Sequence, residues 1–491
     1  MPILTVIRNG NVRRLPFEGT PLVSEVLTAA GLLIPHPCGG KGRCGKCAVH
    51  ITGDISAPTE TEQTRGVRLS CLTRLLGDAT LTLPDGTDTM RIETDTAAPM
   101  LQATANGGFG AAIDIGTTTV ALKLYDLACG TCVGTAAAPN PQTAVAADVM
   151  GRIEAAMGGQ RSRLQTMILD TVKDLLAQAS PDGEIPEALS VTLTGNTTML
   201  YLLCGYDPTA LSRAPFCADH LFGTEHPLPF LARPAYLPPC MNAFVGADIT
   251  CAVLAAGMCE QAQTALLCDI GTNGELALLK DGTLYVTSTA AGPAFEGAGI
   301  VCGCGSIAGA IDRVWTENGK LHFHTIGEAP AVGICGSGVI DAVAAGLEVG
   351  QIDESGAMDE PMPLAGGIAL YPQDVRAVQL AKAAIAAGID TLLELSRTDP
   401  EEIAVCYVAG GFGSHLNMES AAAIGLLPRE FIPRARILGN AALSGAAMTL
   451  AQPTARPHLD EIAARAKHIN LGGNSAFSNH YINRMIFGED E

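Results

Sequence analysis

Cysteines crowd into one glycine-rich segment near the start of this chain. Cys38, Cys44 and Cys47 follow the spacing C-x5-C-x2-C, and Cys71 lies further along. Three thiolates in such a loop can wrap a small iron–sulfur cluster that a distant fourth thiolate completes, while glycines let backbone amides approach the sulfides. Plant-type 2Fe–2S sites have one residue fewer in the first gap, and structural zinc sites usually show two short cysteine pairs where this chain has one. We therefore predict a 2Fe–2S cluster bound by these four cysteines, with zinc as the alternative.

A second kind of chemistry is indicated by a short motif that occurs twice. Residues 114–120 read DIGTTTV, and residues 269–275 read DIGTNGE. Each copy lies between two apolar, strand-like runs, so each predicts a β-hairpin whose glycine-threonine turn offers backbone N–H groups and hydroxyls to a phosphate. The aspartate of each copy can hold Mg²⁺ through water. One copy alone could be an ordinary hairpin, but the repetition favours two turns that grip a nucleotide from both sides.

A third glycine-rich segment extends the predicted nucleotide site. Residues 408–414 (VAGGFGS) follow a predicted strand, where paired glycines would let a purine approach the backbone, although a helix N-terminal turn explains the segment as well. Residues 195–198 (GNTT) are its counterpart in the first half of the chain. The predicted nucleotide contacts are Gly116, Thr117, Thr118, Thr119, Gly271, Thr272, Asn273, Gly274, Glu275, Gly410, Gly411 and Phe412.

Nucleotide hydrolysis would also need groups that orient the attacking water or Mg²⁺. Polar residues stand in otherwise apolar or glycine-rich surroundings at Asn140, Gln142, Asp148, Asp248 and Glu296, and each could instead be a surface or capping residue. We predict catalytic roles for Asp114, Asp269, Asp248 and Glu296, without assigning a general base. The sequence has no Gly-x4-Gly-Lys-Ser/Thr loop, which excludes a Walker-type site.

Two more cysteine pairs are candidates for chemistry outside these motifs. Cys129 and Cys132 fall where a hairpin should turn, so we interpret them as structural. Cys302 and Cys304 stand in a glycine loop and are candidates for a redox or contact role, with packed thiols as the default.

The elements that must position these residues follow from the apolar pattern. Two strands, a helix at 21–30 and later strands predict a β-grasp domain over residues 1–84. Residues 85–108 lack periodicity and predict a linker. Alternating strands and helices then predict open sheets covered by helices, in lobes at 109–263 and 264–491. The predicted helices lie at 144–157, 160–179, 196–203, 336–346, 374–397 and 441–450, and residues 214–239, rich in proline, are predicted to be a surface excursion.

Composition narrows the class of protein. The 491 residues carry a net charge of −20, which argues against binding to nucleic acid or to an anionic membrane surface. Hydrophobic residues make up 47% of the chain and the mean hydropathy is +0.26, so large cores can form. No uncharged apolar run is long enough for a membrane span. Scattered cysteines without a signal peptide predict a reducing, cytoplasmic location.

Taken in order, these motifs resemble those of a known family, the ferredoxin-fused ATPases that act as reductive activators of corrinoid proteins. The resemblance implies a β-grasp 2Fe–2S ferredoxin domain joined to a two-lobed actin-like (ribonuclease H-like) α/β ATPase core. It also implies that Asp114 and Asp269 lie in the two phosphate motifs and that Gly410 and Gly411 lie at the adenosine. The segments that carry it are 37–49, 114–120, 140–142, 147–150, 195–199, 245–248, 269–275, 292–298, 333–338 and 410–413.

The function that the resemblance implies is ATP-dependent, one-electron reduction of Co(II) to Co(I) in a corrinoid protein of a methyltransferase system. An external electron donor would reload the cluster, Mg²⁺ would accompany ATP, and a homodimer is compatible with the resemblance. The chain has no Asp-x-His-x-x-Gly motif, so the cobalamin is expected on the partner. Two alternatives stay open: a small-molecule kinase of the actin and sugar kinase class with a fused redox-sensing cluster, and an ATP-gated regulatory binding protein.

Overall fold

The computed structural model describes residues 1–8, 11–30, 32, 34, 42, 47–83, 100–105, 107–411 and 415–488. Cys38, Cys44, Phe412 and most of the segment 85–108 lie outside the described residues. The other predicted site residues lie within them. The boundaries at 84, 108 and 263 stay predictions.

The N-terminal domain is a five-stranded sheet with a helix packed on it. The strand order is β2-β1-β5-β3-β4, with β1 parallel to β5 and antiparallel to β2. Its core joins inward residues of the strands to one face of helix α1, which confirms the β-grasp prediction. The elements are β1 (Ile3–Arg8), β2 (Asn11–Pro16), α1 (Val23–Ala29), β3 (Ala48–Ile55), α2 (Glu60–Arg65), β4 (Arg68–Leu69) and β5 (Leu75–Thr82).

The first lobe is built on a six-stranded sheet in the order β10-β11-β9-β6-β7-β8. Strands β6, β7 and β8 are antiparallel neighbours, and β9 runs parallel to β6. The elements are β6 (Phe109–Ile115), β7 (Thr119–Asp126), β8 (Thr131–Pro139), α3 (Val149–Ala155), α4 (Arg161–Ala179), β9 (Ser190–Gly195), α5 (Thr197–Cys204), β10 (Thr224–His226), β11 (Ala235–Leu237) and α6 (Ala247–Ala255).

The second lobe repeats this arrangement in the sheet β21-β20-β12-β13-β14-β22. Two small sheets, β16-β15-β17 and β18-β19, are added to it. The elements are β12 (Ala265–Ile270), β13 (Gly274–Lys280), β14 (Thr283–Thr289), β15 (Ala310–Glu317), β16 (Lys320–Thr325), β17 (Gly333–Ile334), α7 (Gly336–Glu348), β18 (Met362–Ala365), β19 (Ile368–Leu370), α8 (Pro372–Ser396), β20 (Val405–Ala409), α9 (Met418–Ala423), β21 (Ala435–Gly439), α10 (Ala441–Ala451), α11 (Ala455–Arg465), β22 (Ala466–His468) and α12 (Ser475–Asn483).

The two large sheets share one strand order around their central strands. In each, three antiparallel strands are followed by a parallel strand beside the first, and then by one more parallel strand. Each DIGT motif ends the first strand and turns into the second, so both motifs occupy equivalent positions. This duplicated topology confirms the predicted actin-like, ribonuclease H-like fold.

The lobes are joined by a continuous apolar core. Helix α10, from the second half of the chain, packs against α6 and against β6 and β9 of the first lobe. One buried cluster contains side chains from both sheets, including Ala112 and Tyr125 from the first and Leu267 and Ala277 from the second. This shared apolar core holds the two lobes together on one side. The open cleft between them lies next to the core, at the DIGT turns.

Two local predictions were wrong. The predicted helix at 144–157 begins only at Val149, after Asp148 caps it by accepting a hydrogen bond from the Gly151 N–H group at 2.7 Å. The stretch at 214–239 is only partly a surface excursion, because its residues Ala235–Leu237 are buried and extend the first-lobe sheet as β11. In the described parts of the chain, no helix is both long and apolar enough to cross a membrane.

Candidate nucleotide and cluster sites

The two DIGT turns face each other across one cleft between the lobes, with a volume of about 270 Å³. The lobes bring to it residues that are far apart in sequence. The predicted site residues that line it are Asp114, Gly116, Thr117, Thr118, Thr119, Asp248, Asp269, Gly271, Thr272, Asn273, Glu275, Glu296, Gly410 and Gly411.

Glu296 joins the two turns through their threonine hydroxyls. Its Oε2 accepts from Thr118 Oγ1 at 2.5 Å, and its Oε1 accepts from Thr272 Oγ1 at 2.8 Å. The two hydroxyl oxygens are themselves 3.2 Å apart. One carboxylate therefore holds both donors at the point where the lobes meet, and an incoming phosphate would compete for the same hydroxyls.

The first turn is supported from behind by side chains of the first lobe. Asn140 Nδ2 donates to the Gly116 carbonyl at 2.8 Å, and Arg152 Nη2 donates to the Thr117 carbonyl. Asn196 Nδ2 donates to Thr117 Oγ1 at 3.1 Å. The turn carbonyls are thus bonded on the far side of the loop, which leaves the cleft side to N–H groups and hydroxyls.

Four carboxyl groups line the cleft: Glu275 is buried, and Asp114, Asp248 and Asp269 are partly exposed. Burial raises the pKa of Asp114 to about 6, against a hydrogen bond from Asn440 that lowers it. Burial and the charge of Asp114 raise the pKa of Asp269 to about 7. Burial and the charges of Asp114 and Asp269 raise the pKa of Asp248 to about 8. The pKa of Glu275 is raised mainly by burial as well. A cation bound there would relieve this concentration of negative charge.

This charge suits Mg²⁺ held largely through water and phosphate. Among the described residues, no three carboxylate, histidine or cysteine side chains are grouped closely enough to coordinate a metal by themselves. Mg²⁺ usually keeps several waters and binds one or two carboxylates together with substrate phosphates. The donors present therefore fit a nucleotide-dependent Mg²⁺ site rather than a closed protein cage.

The opposite wall of the cleft comes from the ends of β20 and β21. Gly410 has φ +102°, and a Cβ there would lie 2.5 Å from the Ile270 carbonyl oxygen, so glycine lets the end of β20 approach the end of β12. Asn440 begins helix α10 and donates through Nδ2 to Asp114 Oδ2 at 2.9 Å. This bond ties helix α10 to the first DIGT aspartate.

Among the described residues that were predicted to contact the nucleotide, Gly274 is the one that does not line the cleft. A Cβ at this position would lie 2.7 Å from side-chain atoms of both Ile385 and Thr289. Glycine is therefore required for packing of β13 against helix α8, and Gly274 lies beside the cleft wall rather than on it.

The polar residues at this site that the sequence predictions missed are Lys123, Arg152, Ser306, His415 and Asn440. Lys123 lines the cleft with its side chain almost fully buried, and burial lowers its pKa. A lysine inside an apolar strand was the available signal. Asn440 and Arg152 gave no comparable signal, because an asparagine before a helix and an arginine within one are common.

At the cluster site, the structure brings two of the predicted ligands together. Cys47 precedes β3 and Cys71 follows β4, and their sulfur atoms are 3.1 Å apart without a disulfide bond. Both side chains are buried in the core of the β-grasp domain. Two thiols converging from separate segments fit the donor set of a 2Fe–2S cluster.

The other cysteine pairs have separate surroundings. Cys129 is exposed in the turn between β7 and β8, and Cys132 lies just inside β8, as the hairpin interpretation predicted. Cys304 lines the nucleotide cleft, and its N–H group donates to the Ile334 carbonyl at 2.9 Å.

Comparison with known proteins agrees with this three-part organisation. Residues 6–76 match a 2Fe-2S iron-sulfur cluster binding domain, residues 109–261 match the RACo middle region, and residues 263–491 match the C-terminal ASKHA domain of RACo. The corrinoid activation enzyme RamQ of Eubacterium limosum is 34% identical over 425 residues, covering 78% of this chain and 71% of RamQ.

The chain belongs to the RACo family. Another relative is the [Co(II) methylated amine-specific corrinoid protein] reductase of Methanosarcina barkeri, which is 27% identical with 77% of each chain covered. Among solved structures, a reductive activator for a corrinoid, iron-sulfur protein superposes with a TM-score of 0.72 at 27% identity. That alignment covers 99% of this chain and 98% of the other, so the RACo-type architecture extends over the whole length.

Proposed function

We propose that this protein is an ATP-dependent reductive activator that returns Co(II) in a partner corrinoid protein to Co(I) for methyl transfer. The observation that carries the proposal is the combination of two sites in one RACo-type chain. Paired thiols lie in a β-grasp domain, and two DIGT turns meet across a cleft between actin-like lobes. The names of the relatives from Eubacterium and Methanosarcina support a corrinoid protein as the partner.

The need for ATP follows from redox energetics. A 2Fe–2S cluster on the four cysteines would supply one electron at roughly −400 mV, as in plant-type ferredoxins. Each 59 mV by which the acceptor lies lower makes the transfer about tenfold less favourable. Coupling between nucleotide binding and partner binding can offset such a deficit. In the balanced reaction, one electron passes to the partner's Co(II), and ATP and water become ADP and phosphate.

In this proposal, different residues of the cleft bind the phosphates, hold Mg²⁺ and orient the attacking water. The N–H groups and hydroxyls of residues 117–119 and 272–273 would hold the phosphates from both lobes, while the Gly116 and Gly271 N–H groups close their turns by donating to the Thr119 and Asn273 carbonyls. Asp114, Asp269 and Asp248 would hold Mg²⁺ through water, which neutralises the phosphate oxygens. Glu296 lies against both threonine hydroxyls, where it can orient the attacking water. Closure of the lobes over ATP is the two-state change that would alter affinity for the partner.

The deciding experiment mixes the anaerobically reduced protein with ATP and a Co(II) corrinoid protein and follows the cobalt absorption spectrum. We expect Co(I) to form only when ATP is present. Absence of Co(I) with every corrinoid partner tested, together with phosphate transfer to a metabolite, would instead identify a kinase with a redox-sensing domain.

Two variants separate the two sites in this assay. Asp269→Ala should abolish ATP hydrolysis while the red-brown visible spectrum stays intact. Cys71→Ser should remove the cluster absorbance while ATP hydrolysis continues, and Cys129→Ser, in an exposed turn, is the matched control that keeps its colour. Neither Asp269→Ala nor Cys71→Ser should produce Co(I).

A further inference from the structure

Arg152 is a fully buried guanidinium directly behind the first DIGT turn. Its Nη2 donates to the Thr117 carbonyl, and its Nε donates to the Ala146 carbonyl at 3.1 Å. Its Nη1 donates to Gln142 Oε1 at 3.2 Å and lies 3.0 Å from Met199 Sδ. All four partners are neutral, and in the described parts of the chain no carboxylate oxygen forms an ion pair with this side chain.

An unpaired buried charge is expensive to keep. Isolated ions lose several kcal/mol of hydration on burial, so buried charges are normally paired. Burial lowers the pKa of Arg152 to about 9, which still leaves it protonated at neutral pH. Asp148 and Glu296 act on Arg152 only from a distance, through their negative charge. Each carboxylate is bonded elsewhere: Asp148 caps helix α3, and Glu296 accepts from the two threonine hydroxyls.

The hydrogen bonds around the first DIGT turn orient its N–H groups toward the cleft, where they could bind an anion. Arg152 holds the Thr117 carbonyl, the Asn140 side chain holds the Gly116 carbonyl, and the Asn140 N–H group donates to the Thr118 carbonyl at 2.7 Å. In a planar trans peptide, the N–H group points opposite to the preceding carbonyl. Three successive N–H groups therefore turn away from this network, toward the cleft side of the loop.

We propose that Arg152 is a positioning residue for the nucleotide phosphates, which would add negative charge in front of a buried guanidinium that forms no ion pair among the described residues. It acts through the Thr117 carbonyl and through its electrostatic potential, without lining the cleft itself. The proposal rests on the nucleotide site of the proposed function and adds a determinant of phosphate affinity to it. It also gives a reason for the buried Gln142, whose amide oxygen can accept from Arg152 without neutralising it.

The test is the affinity of Arg152→Met for a charge series: a non-hydrolysable ATP analogue, ADP, AMP and adenosine, measured by calorimetry with Mg²⁺. We expect Arg152→Met to bind the ATP analogue roughly tenfold or more weakly than the wild type. This is the effect of losing the Coulomb attraction between one positive charge and one phosphate charge at ~10 Å, with an effective dielectric constant of ~20. The loss should shrink in the order ADP, AMP, adenosine, with adenosine unchanged within about twofold. Arg152→Lys, which keeps the charge, should recover most of the lost affinity.

A structural role would give a different pattern. Two outcomes for Arg152→Met would overturn the proposed role of Arg152 but not the nucleotide site. One is an equal loss of affinity for all four ligands, adenosine included, and the other is no loss of affinity for the ATP analogue. A wild-type chain that binds none of the four would overturn the nucleotide site itself. Arg434→Met is the matched control, because Arg434 also donates to backbone carbonyls but does so before β20, at the end of the strand remote from Gly410.

A second variant leaves the arginine in place, in case Arg152→Met fails to fold. Gln142→Glu puts a carboxylate against the Arg152 guanidinium and should cancel its charge. We expect the same graded loss across the ligand series. Full ATP affinity in a folded Gln142→Glu chain would contradict the proposal.

Discussion

The Glu296 side chain forms hydrogen bonds with residues of both lobes. It belongs to the second lobe, where the neighbouring Phe295 is fully buried, yet its carboxylate reaches Thr118 of the first lobe. The threonine hydroxyls that it binds are the ones expected to donate to a phosphate. In the proposed reaction, a phosphate would take over these hydroxyls and leave the Glu296 carboxylate to orient water for hydrolysis.

At this scale we predict that Glu296→Gln lowers the rate constant for ATP hydrolysis at least ~100-fold, the usual contribution of a positioned acid–base group. The affinity for ATP should not fall and should rise if anything, because the amide removes a negative charge that repels phosphate. Steady-state phosphate release and calorimetry measure the two quantities. Glu317→Gln, at the exposed end of strand β15, is the control, and hydrolysis at the wild-type rate in Glu296→Gln would contradict a catalytic role.

At the scale of elements, helix α2 fixes the segment that carries Cys71. The buried Glu62 carboxylate accepts from the Leu69 and Thr59 N–H groups, from the Thr73 hydroxyl and from Arg68. Burial alone would raise the pKa of Glu62, but these hydrogen bonds outweigh it and lower the pKa to about 2. Because Leu69 and Thr73 flank Cys71, the network holds one predicted cluster ligand in place.

We predict that Glu62→Gln reduces the free energy of unfolding of the β-grasp domain at pH 7 by about 1–3 kcal/mol, the effect of breaking a buried hydrogen-bonded group. Urea unfolding followed by cluster absorbance measures it, with the exposed Glu60→Gln as control. The folded pKa lies below the ordinary 4.5, so this stabilisation is complete above pH 4.5 and is lost as the pH falls through about 2. The difference between Glu62→Gln and wild type should shrink over that range; a constant difference would argue against ionised Glu62.

At the scale of the whole molecule, the lobes and the β-grasp domain have separate cores. The cluster that contains α6 and α10 includes side chains from both large sheets, whereas the core around α1 contains only residues of the N-terminal domain. A ligand that binds between the lobes should therefore stabilise the lobes as one unit and leave the β-grasp domain unaffected.

We predict that the Mg²⁺ complex of a non-hydrolysable ATP analogue, at 100 times its Kd, stabilises the two-lobe unit by about 2.7 kcal/mol. Calorimetry should show this transition move to a higher Tm, while the loss of visible absorbance stays at the same temperature. Asp269→Ala should show no such shift. A parallel shift of both transitions would mean that the domains unfold together.

The sequence by itself determined the local chemistry and the order of the domains. Cysteine spacing, the repeated DIGT motif and the alternation of strands and helices depend on residues close in the chain, so they predicted the β-grasp domain and two lobes of open sheets covered by helices. The actin-like fold of those lobes was implied by the family resemblance. Periodicity also located most long helices, such as α4, α8 and α10. It failed at 144–157 and at 235–237, where an Asp148 cap and pairing with the distant strand β9 decided the structure.

Only the tertiary structure decided which side chains act together. The contact of Glu296 with Thr118 joins residues 178 positions apart, and the bond from Asn440 to Asp114 joins residues 326 positions apart. No spacing rule encodes such contacts, because they depend on how two sheets close over a shared core. The same closure concentrates the carboxylates of Asp114, Asp248 and Asp269, and their raised pKa values follow from burial rather than from sequence.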